Sequence, residues 1–160
     1  MKKFMMVAIT LIATTVINAQ SIGALGGGSV DKLGVGSSWG AWLDFGGIGF
    51  HYVTTGSLNN NPSDVINYVA GNTNTYTAGV VSESYGMFFG SNKKAFYAGG
   101  GVQVVRRVDA KDFDVVLESN HFGYGLVGCK FKLGKAFEGR LEGVIGKVSS
   151  VNLGLGISLK

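Results

Sequence analysis

The chain has 160 residues, with 14 Lys and Arg against 10 Asp and Glu, 27 glycines, one proline and one cysteine. A single cysteine excludes a disulfide framework. The net charge of +4, which falls to +2 without Lys2 and Lys3, gives no nucleic-acid signature.

Met1 to Ala19 opens with Lys2 and Lys3, continues as an apolar run from Phe4 that threonines soften toward Ile17, and ends on small Ala19. This is the pattern of a secretory signal peptide, and the run is too short for a comfortable transmembrane helix. The expected division is residues 1–19 as signal peptide and residues 20–160 as one domain. After residue 19 no long 3.6-residue apolar period appears, and the glycines sit inside alternating segments. That combination predicts an all-β domain of closely packed, curved strands.

Taken in order, Ser21 to Gly28 reads as a short Gly-rich strand, and Ser29 to Lys32 as a polar break. A second strand, from Leu33 or Gly36 to Phe45, sets Trp39, Ala41, Leu43 and Phe45 against Gly40, Trp42 and Asp44. Gly46-Gly47 is a two-residue hairpin signal. The third strand, Ile48 to Thr55, then places His51 opposite Trp42. Gly56 to Thr75 is a long polar connection containing Asn59, Asn60, Asn61 and Pro62, with a single helical turn predicted after Ser63 or Asp64. Tyr76 to Gly90 is a fourth strand of poor alternation. Glu83 is assigned to its polar side, because a carboxylate facing lipid costs up to a few kcal/mol.

Ser91 to Lys94 is a tight turn, Ala95 to Val108 a fifth strand, and Asp109 to Val115 an acidic loop. Val116 to Leu133 is a sixth strand, with Val127, Cys129, Phe131 and Leu133 opposite Glu118, Tyr124, Lys130 and Lys132. Phe137, Leu141 and Ile145 then alternate with Glu138, Arg140 and Glu142. Val151, Leu153, Leu155, Ile157 and Leu159 alternate with Asn152, Gly154, Gly156, Ser158 and Lys160. Both apolar sets are odd-numbered, so pairing Ile145 with Leu153 around a turn at Val148, Ser149 and Ser150 keeps them on one face.

Eight strands with two unlike faces admit two architectures. In a soluble barrel the apolar face is the core, and the natural ligand is a small lipophilic molecule in a secreted or periplasmic protein. In an outer-membrane barrel the apolar face meets lipid and the charges line the interior. Tight connections after strands two, four and six, with longer ones after three and five, match the second pattern. On these features the chain, from its leader through the alternating end at Val151 to Lys160, resembles the small eight-stranded outer-membrane β-barrel proteins. The resemblance implies an antiparallel up-and-down transmembrane barrel in the outer membrane of a Gram-negative-type cell, in contact with outer-membrane lipid.

An eight-stranded barrel is only wide enough for its own side chains, so the interior is expected to be packed, with no transport pore. Buried charges need partners. Pairing Leu133 with Phe137 sets Lys132 against Glu138. It also sets Lys130 opposite Arg140 and diagonal to Glu138 and Glu142. Asp44, Glu83 and Arg107 extend the set into a lumenal ion-pair network with a structural role. No serine has a nucleophile-elbow context, so no catalytic residue is assigned. Asp109, Asp112 and Asp114 lack the glycine and distal glutamate of a calcium loop, and neither a metal nor a cofactor is expected. The remaining function is structural, or adhesion and recognition of an extracellular partner through the loops carrying Asn59, Asn60, Asn61, Asp109, Asp112 and Asp114.

Overall fold

The computed structural model describes residues 20–32, 34–58, 77–90, 95–109 and 116–159. The leader, the Asn59 to Asn61 run, the helical turn after Ser63, the Ser91 to Lys94 turn, Asp112 and Asp114 lie outside these residues. Eight strands form: β1 (Ser21–Val30), β2 (Val35–Asp44), β3 (Ile48–Leu58), β4 (Thr77–Gly90), β5 (Phe96–Asp109), β6 (Val116–Lys132), β7 (Phe137–Ile145) and β8 (Ser149–Ser158). Each pairs antiparallel with the next, and β8 returns to β1 along Ser21↔Ser158 to Val30↔Ser149, closing the barrel. Closure satisfies the backbone without leaving a full-length edge.

The first and last described residues lie at one end, the terminal end of the barrel: Gln20 N donates to the Asp44 carbonyl and Leu159 N to the Gln20 carbonyl. The Phe45–Ile48 hairpin closes there as well, with Phe45 N donating to the Ile48 carbonyl at 2.9 Å. Gly46 takes φ of +87°, a left-handed conformation that glycine adopts without steric cost, and its N–H donates to Asp44 Oδ1 at 2.7 Å. Gly134, at φ +94°, turns β6 into β7 at the same end.

Several predicted boundaries move. β1 runs through Ser29 to Val30, β3 reaches Leu58, and Asp109 ends β5 instead of opening a loop. In the last hairpin Leu153 pairs with Leu141, not with Ile145, and the turn is Gly146–Val148. A displacement of four residues is even, so every side chain keeps its face. Gln103 of β5 pins this turn: its Nε2 donates to the Val148 carbonyl at 2.8 Å, and its Oε1 accepts from Val148 N at 2.9 Å.

The two faces are sorted inside out relative to a soluble barrel. Phe50, Phe96, Val127, Phe131, Phe137, Leu141, Ile145, Leu153, Leu155 and Ile157 all point outward and are exposed. Inside, Trp42, Arg140, Phe88, Leu126, Gln103, Glu142, Val53, Val144 and Asn152 are each fully or almost fully buried. The interior of this barrel is therefore polar, aromatic and charged, not the apolar cavity that the soluble alternative requires.

Candidate functional site: a charged lumen and a protruding rim

The lumen is organised around Arg140 of β7, which is 0% exposed. Its Nη2 donates to Asp44 Oδ2 at 2.6 Å and its Nε to Glu138 Oε1 at 2.7 Å. Lys130 Nζ reaches the same Asp44 oxygen at 3.2 Å. Strand register sets Lys130 directly opposite Arg140, which is repulsive unless an anion sits between them. Asp44 is that anion. It comes from the end of β2, across the lumen, so the carboxylate that reconciles the two cations is not one of the neighbouring glutamates. Ser21 Oγ completes this layer by donating to Glu138 Oε1 at 3.2 Å.

The guanidinium plane is enclosed by rings. Its Cζ lies 4.6 Å from the Trp42 ring centroid, 4.8 Å from Phe88 and 5.1 Å from Tyr97. Aromatic faces stabilise a desolvated guanidinium and hold its fork in one orientation. Trp42 is itself seated by glycines: a methyl at Gly23, Gly154 or Gly156 would overlap its ring.

Glu142 belongs to a second group one layer further from the termini. It is 0% exposed and accepts from His51 Nδ1 at 3.0 Å and from Tyr97 Oη at 3.1 Å. His51 Nε2 pairs with the Tyr124 hydroxyl. Nothing in the alternation pattern singled out Tyr97, Tyr124 or Ser21 as partners. Their signal was only that each stands on the polar parity of its strand. Beyond this group the lumen becomes neutral and polar. Ser38 Oγ donates to Asn152 Oδ1 at 2.5 Å, Thr55 and Ser82 share a 2.7 Å bond, and Gln103 Nε2 donates to Ser84 Oγ at 3.0 Å.

Three predicted members of the network stand elsewhere. Lys132 lies opposite Glu138 in register but is exposed at the terminal end. Arg107 is on the inward parity of β5 but sits at the far rim, 3.4 Å from Glu118, with both side chains about half exposed. Glu83 is outside the lumen altogether. It points outward between buried Ser82 and Ser84, and pairs with Arg106 at 2.9 Å. The pair is diagonal across β4 and β5, since Glu83 stands opposite Val104 and Val81 opposite Arg106. A partner on the next strand is what makes an outward carboxylate tolerable there.

That ion pair marks a boundary. Toward the termini, the outward positions of β2, β3 and β4 carry Trp39, Tyr52 and Tyr85. Trp39 and Tyr52 rings are 6.2 Å apart, and Tyr52 and Tyr85 rings 5.1 Å apart. Phe45, Phe50, Phe89, Phe96, Phe131 and Phe137 form a second aromatic set near the terminal end, with Phe45 and Phe50 in edge contact at 6.1 Å. On β3 the two sets meet, Phe50 and Tyr52 being successive outward residues, and exposed aromatics beside an apolar belt are a feature of membrane barrels. Beyond Trp39, Tyr52 and Tyr85 outward residues turn polar at Thr54, Glu83, Arg106, Ser119 and His121. The long strands β4 to β6 thus carry outward polar residues past the apolar band, β2 and β3 end level at Gly36↔Ser57, and the step down comes at β7, which ends at Ile145 opposite Gly125.

No protein-family model and no curated protein sequence matches the chain. Two solved structures of similar fold are representative. One is Neisserial surface protein A, at TM-score 0.52 and 12% identity, over 87% of this chain and 95% of that one. The other is Ail, the attachment invasion locus protein of Yersinia pestis, at TM-score 0.51 and 14% identity, over 86% of this chain and 94% of that one. Both are small eight-stranded outer-membrane β-barrels, and this chain has their fold.

Proposed function

We propose that this chain, built on the fold of the small eight-stranded outer-membrane β-barrels, is a non-enzymatic surface protein of a Gram-negative-type outer membrane that recognises an extracellular partner with its protruding end. Residues 1–19 direct export and are removed. The terminal end faces the periplasm and the opposite end, where Asp109 closes β5, faces outward; Asn59, Asn60, Asn61, Asp109, Asp112 and Asp114 are the proposed recognition residues. The lumen, filled by the Arg140 and Glu142 groups, closes the barrel to transport and serves as its rigid core.

The observation that carries this reading is the inside-out sorting of side chains. Leu141, Leu153 and Leu155 face outward on the same strands whose inward side chains include fully buried Arg140, Glu142 and Asn152. Water on the outside would leave this apolar belt unpaid, whereas hydrocarbon accommodates it. The recognition role is supported by the polar wall above the belt. It is supported too by the names of the two similar structures, one a surface protein and the other an attachment and invasion protein.

The test is gel mobility of the outer-membrane fraction with and without boiling. A closed sheet with every strand paired resists cold detergent, so the folded and boiled forms are expected to migrate differently. Recovery of the protein in the soluble periplasmic fraction, with no heat-dependent shift, would overturn the membrane reading.

A further inference from the structure

β6 is the longest strand, and its two edges are unequally used. Toward β5 it is paired from Val116 to Cys129, whereas toward β7 pairing begins only at Gly125, opposite Ile145. Backbone groups alternate sides along a strand. Lys130 N bonds the Ala95 carbonyl before β5, and Leu133 N bonds the Phe137 carbonyl of β7. Even-numbered residues of β6 therefore address β5, and odd-numbered ones address β7. Beyond Gly125 the odd residues are Gly123, His121 and Ser119, and among the described residues no strand pairs with them. The β7–β8 turn does not rise to cover them, because Gln103 draws Val148 inward over the lumen.

Exposed edges are usually blunted by lysine or proline. The stretch Ser119–Tyr124 has neither, and all of its outward residues are polar or glycine and exposed. On the inward side the same stretch lines a cleft of about 100 Å³ with Val105, Arg107, Glu118, Asn120, Phe122 and Lys147. Lys147 stands over the Phe122 ring at 5.4 Å and has no carboxylate partner among the described residues.

We infer that the upper half of β6 is a docking edge for an extended peptide of a partner protein. The peptide pairs its backbone with Ser119, His121 and Gly123 and places an acidic side chain in the cleft beside Lys147 and Arg107. The added strand continues the line of β7, so its inward residues enter the cleft and its outward ones stand above the membrane. Backbone pairing supplies binding along the edge, and the cleft supplies the selection. The inference rests on the reading of this end as the recognition surface.

The experiment measures amide hydrogen exchange, residue by residue, on the refolded protein in lipid nanodiscs. The probe is an alternating Thr-Val peptide of about ten residues, a usual strand length, with glutamate on one face. Without peptide, the amides of Ser119, His121 and Gly123 should exchange rapidly, and those of Asn120 and Phe122 slowly. Peptide should slow the first set by about tenfold or more. A peptide N-methylated along one edge should not protect them, and a lysine-for-glutamate peptide should bind more weakly. Lys147→Ser should narrow the preference for glutamate. Ser119→Pro, which removes an edge-facing donor but also fixes φ at residue 119, should weaken binding; where that variant fails the heat-shift check, the N-methylated peptide carries the test.

The proposal is overturned if the three odd-numbered amides are already slow, which would mean that the chain covers its own edge. It is overturned also if their protection rises with protein concentration alone, as for a second copy, or if the N-methylated peptide protects equally. Because exchange is read on purified protein, these failures are separable from a failure to fractionate with the outer membrane.

Discussion

Arg140 has no route to water, so its charge is stabilised only by what surrounds it. Asp44 and Glu138 supply the charge balance, and Trp42, Phe88 and Tyr97 supply the walls. Removing one member of such a group leaves the others buried and uncompensated, which costs about 3–5 kcal/mol. Arg140→Leu should therefore lower the unfolding free energy by roughly that amount in a urea titration in detergent micelles, and adding Asp44→Asn should recover part of the loss. Unchanged stability in Arg140→Leu would show that the guanidinium is not held among carboxylates. Arg140→Lys should also destabilise, because an ammonium cannot reach Asp44 and Glu138 in one planar fork while stacking on three rings.

Glu142 and His51 form a separate unit at the same scale. Each is buried, and each is the other's partner at 3.0 Å. A double-mutant cycle of His51→Gln and Glu142→Gln should give a coupling of about 0.5–3 kcal/mol, as contacting residues do. The corresponding cycle of His51→Gln with Arg106→Gln, whose side chains lie on opposite faces of the sheet, should be additive within about 0.5 kcal/mol.

The strands are thin where the lumen is crowded. Gly23 of β1 faces inward, and a methyl there would overlap the Trp42 ring and come within 2.6 Å of the Gly156 Cα. Gly26, three residues on, faces outward with nothing within 4 Å of such a methyl. Gly23→Ala should destabilise by about 1–3 kcal/mol as an overpacking change, and shift Trp42 emission in a Trp39→Phe background. Gly26→Ala should stay within about 0.5 kcal/mol of the parent. Equal effects at the two sites would mean that the glycines serve strand curvature alone and not the seating of Trp42.

The same element scale shows what alternation can and cannot reveal. The odd–even sorting of β7 and β8, the Phe45–Ile48 hairpin with Trp42 opposite His51, and Lys130 opposite Arg140 were all legible, since each follows from a period of two. The four-residue displacement of the last hairpin was not, because an even shift leaves the pattern unchanged and the pin is Gln103, 45 residues away from Val148 in sequence. Glu83 was misassigned to the lumen for a related reason. The cost of an outward carboxylate was weighed on its own strand, and the cation that offsets it, Arg106, belongs to the next one. Asp44 as the anion between Lys130 and Arg140 needed the closed barrel, which brings β2 across to β6 and β7.

At the scale of the whole molecule, the position of the hydrocarbon decides which surface can meet a partner. The outward surface has an apolar belt with exposed aromatic residues beside it, then a wall with polar outward residues made by β4 to β6. If the belt sits in lipid, an outward charge must cost most at its middle and little near its edge. Leu153 pairs with Leu141 midway along β8, and both are exposed. Leu153→Arg should reduce the free energy of folding into lipid vesicles by about 2–4 kcal/mol, and His121→Arg, level with the Glu83–Arg106 pair, by about 0–1 kcal/mol. In a barrel surrounded by water the same two substitutions would be surface changes of similar, small effect, within about 0.5 kcal/mol. A urea titration of vesicle-folded protein reads the difference directly. A depth-dependent penalty fixes the belt in the bilayer and lifts the β4–β6 wall, with its open β6 edge, clear of the membrane. Equal penalties would move the membrane boundary and remove the physical basis for treating that wall as the recognising surface.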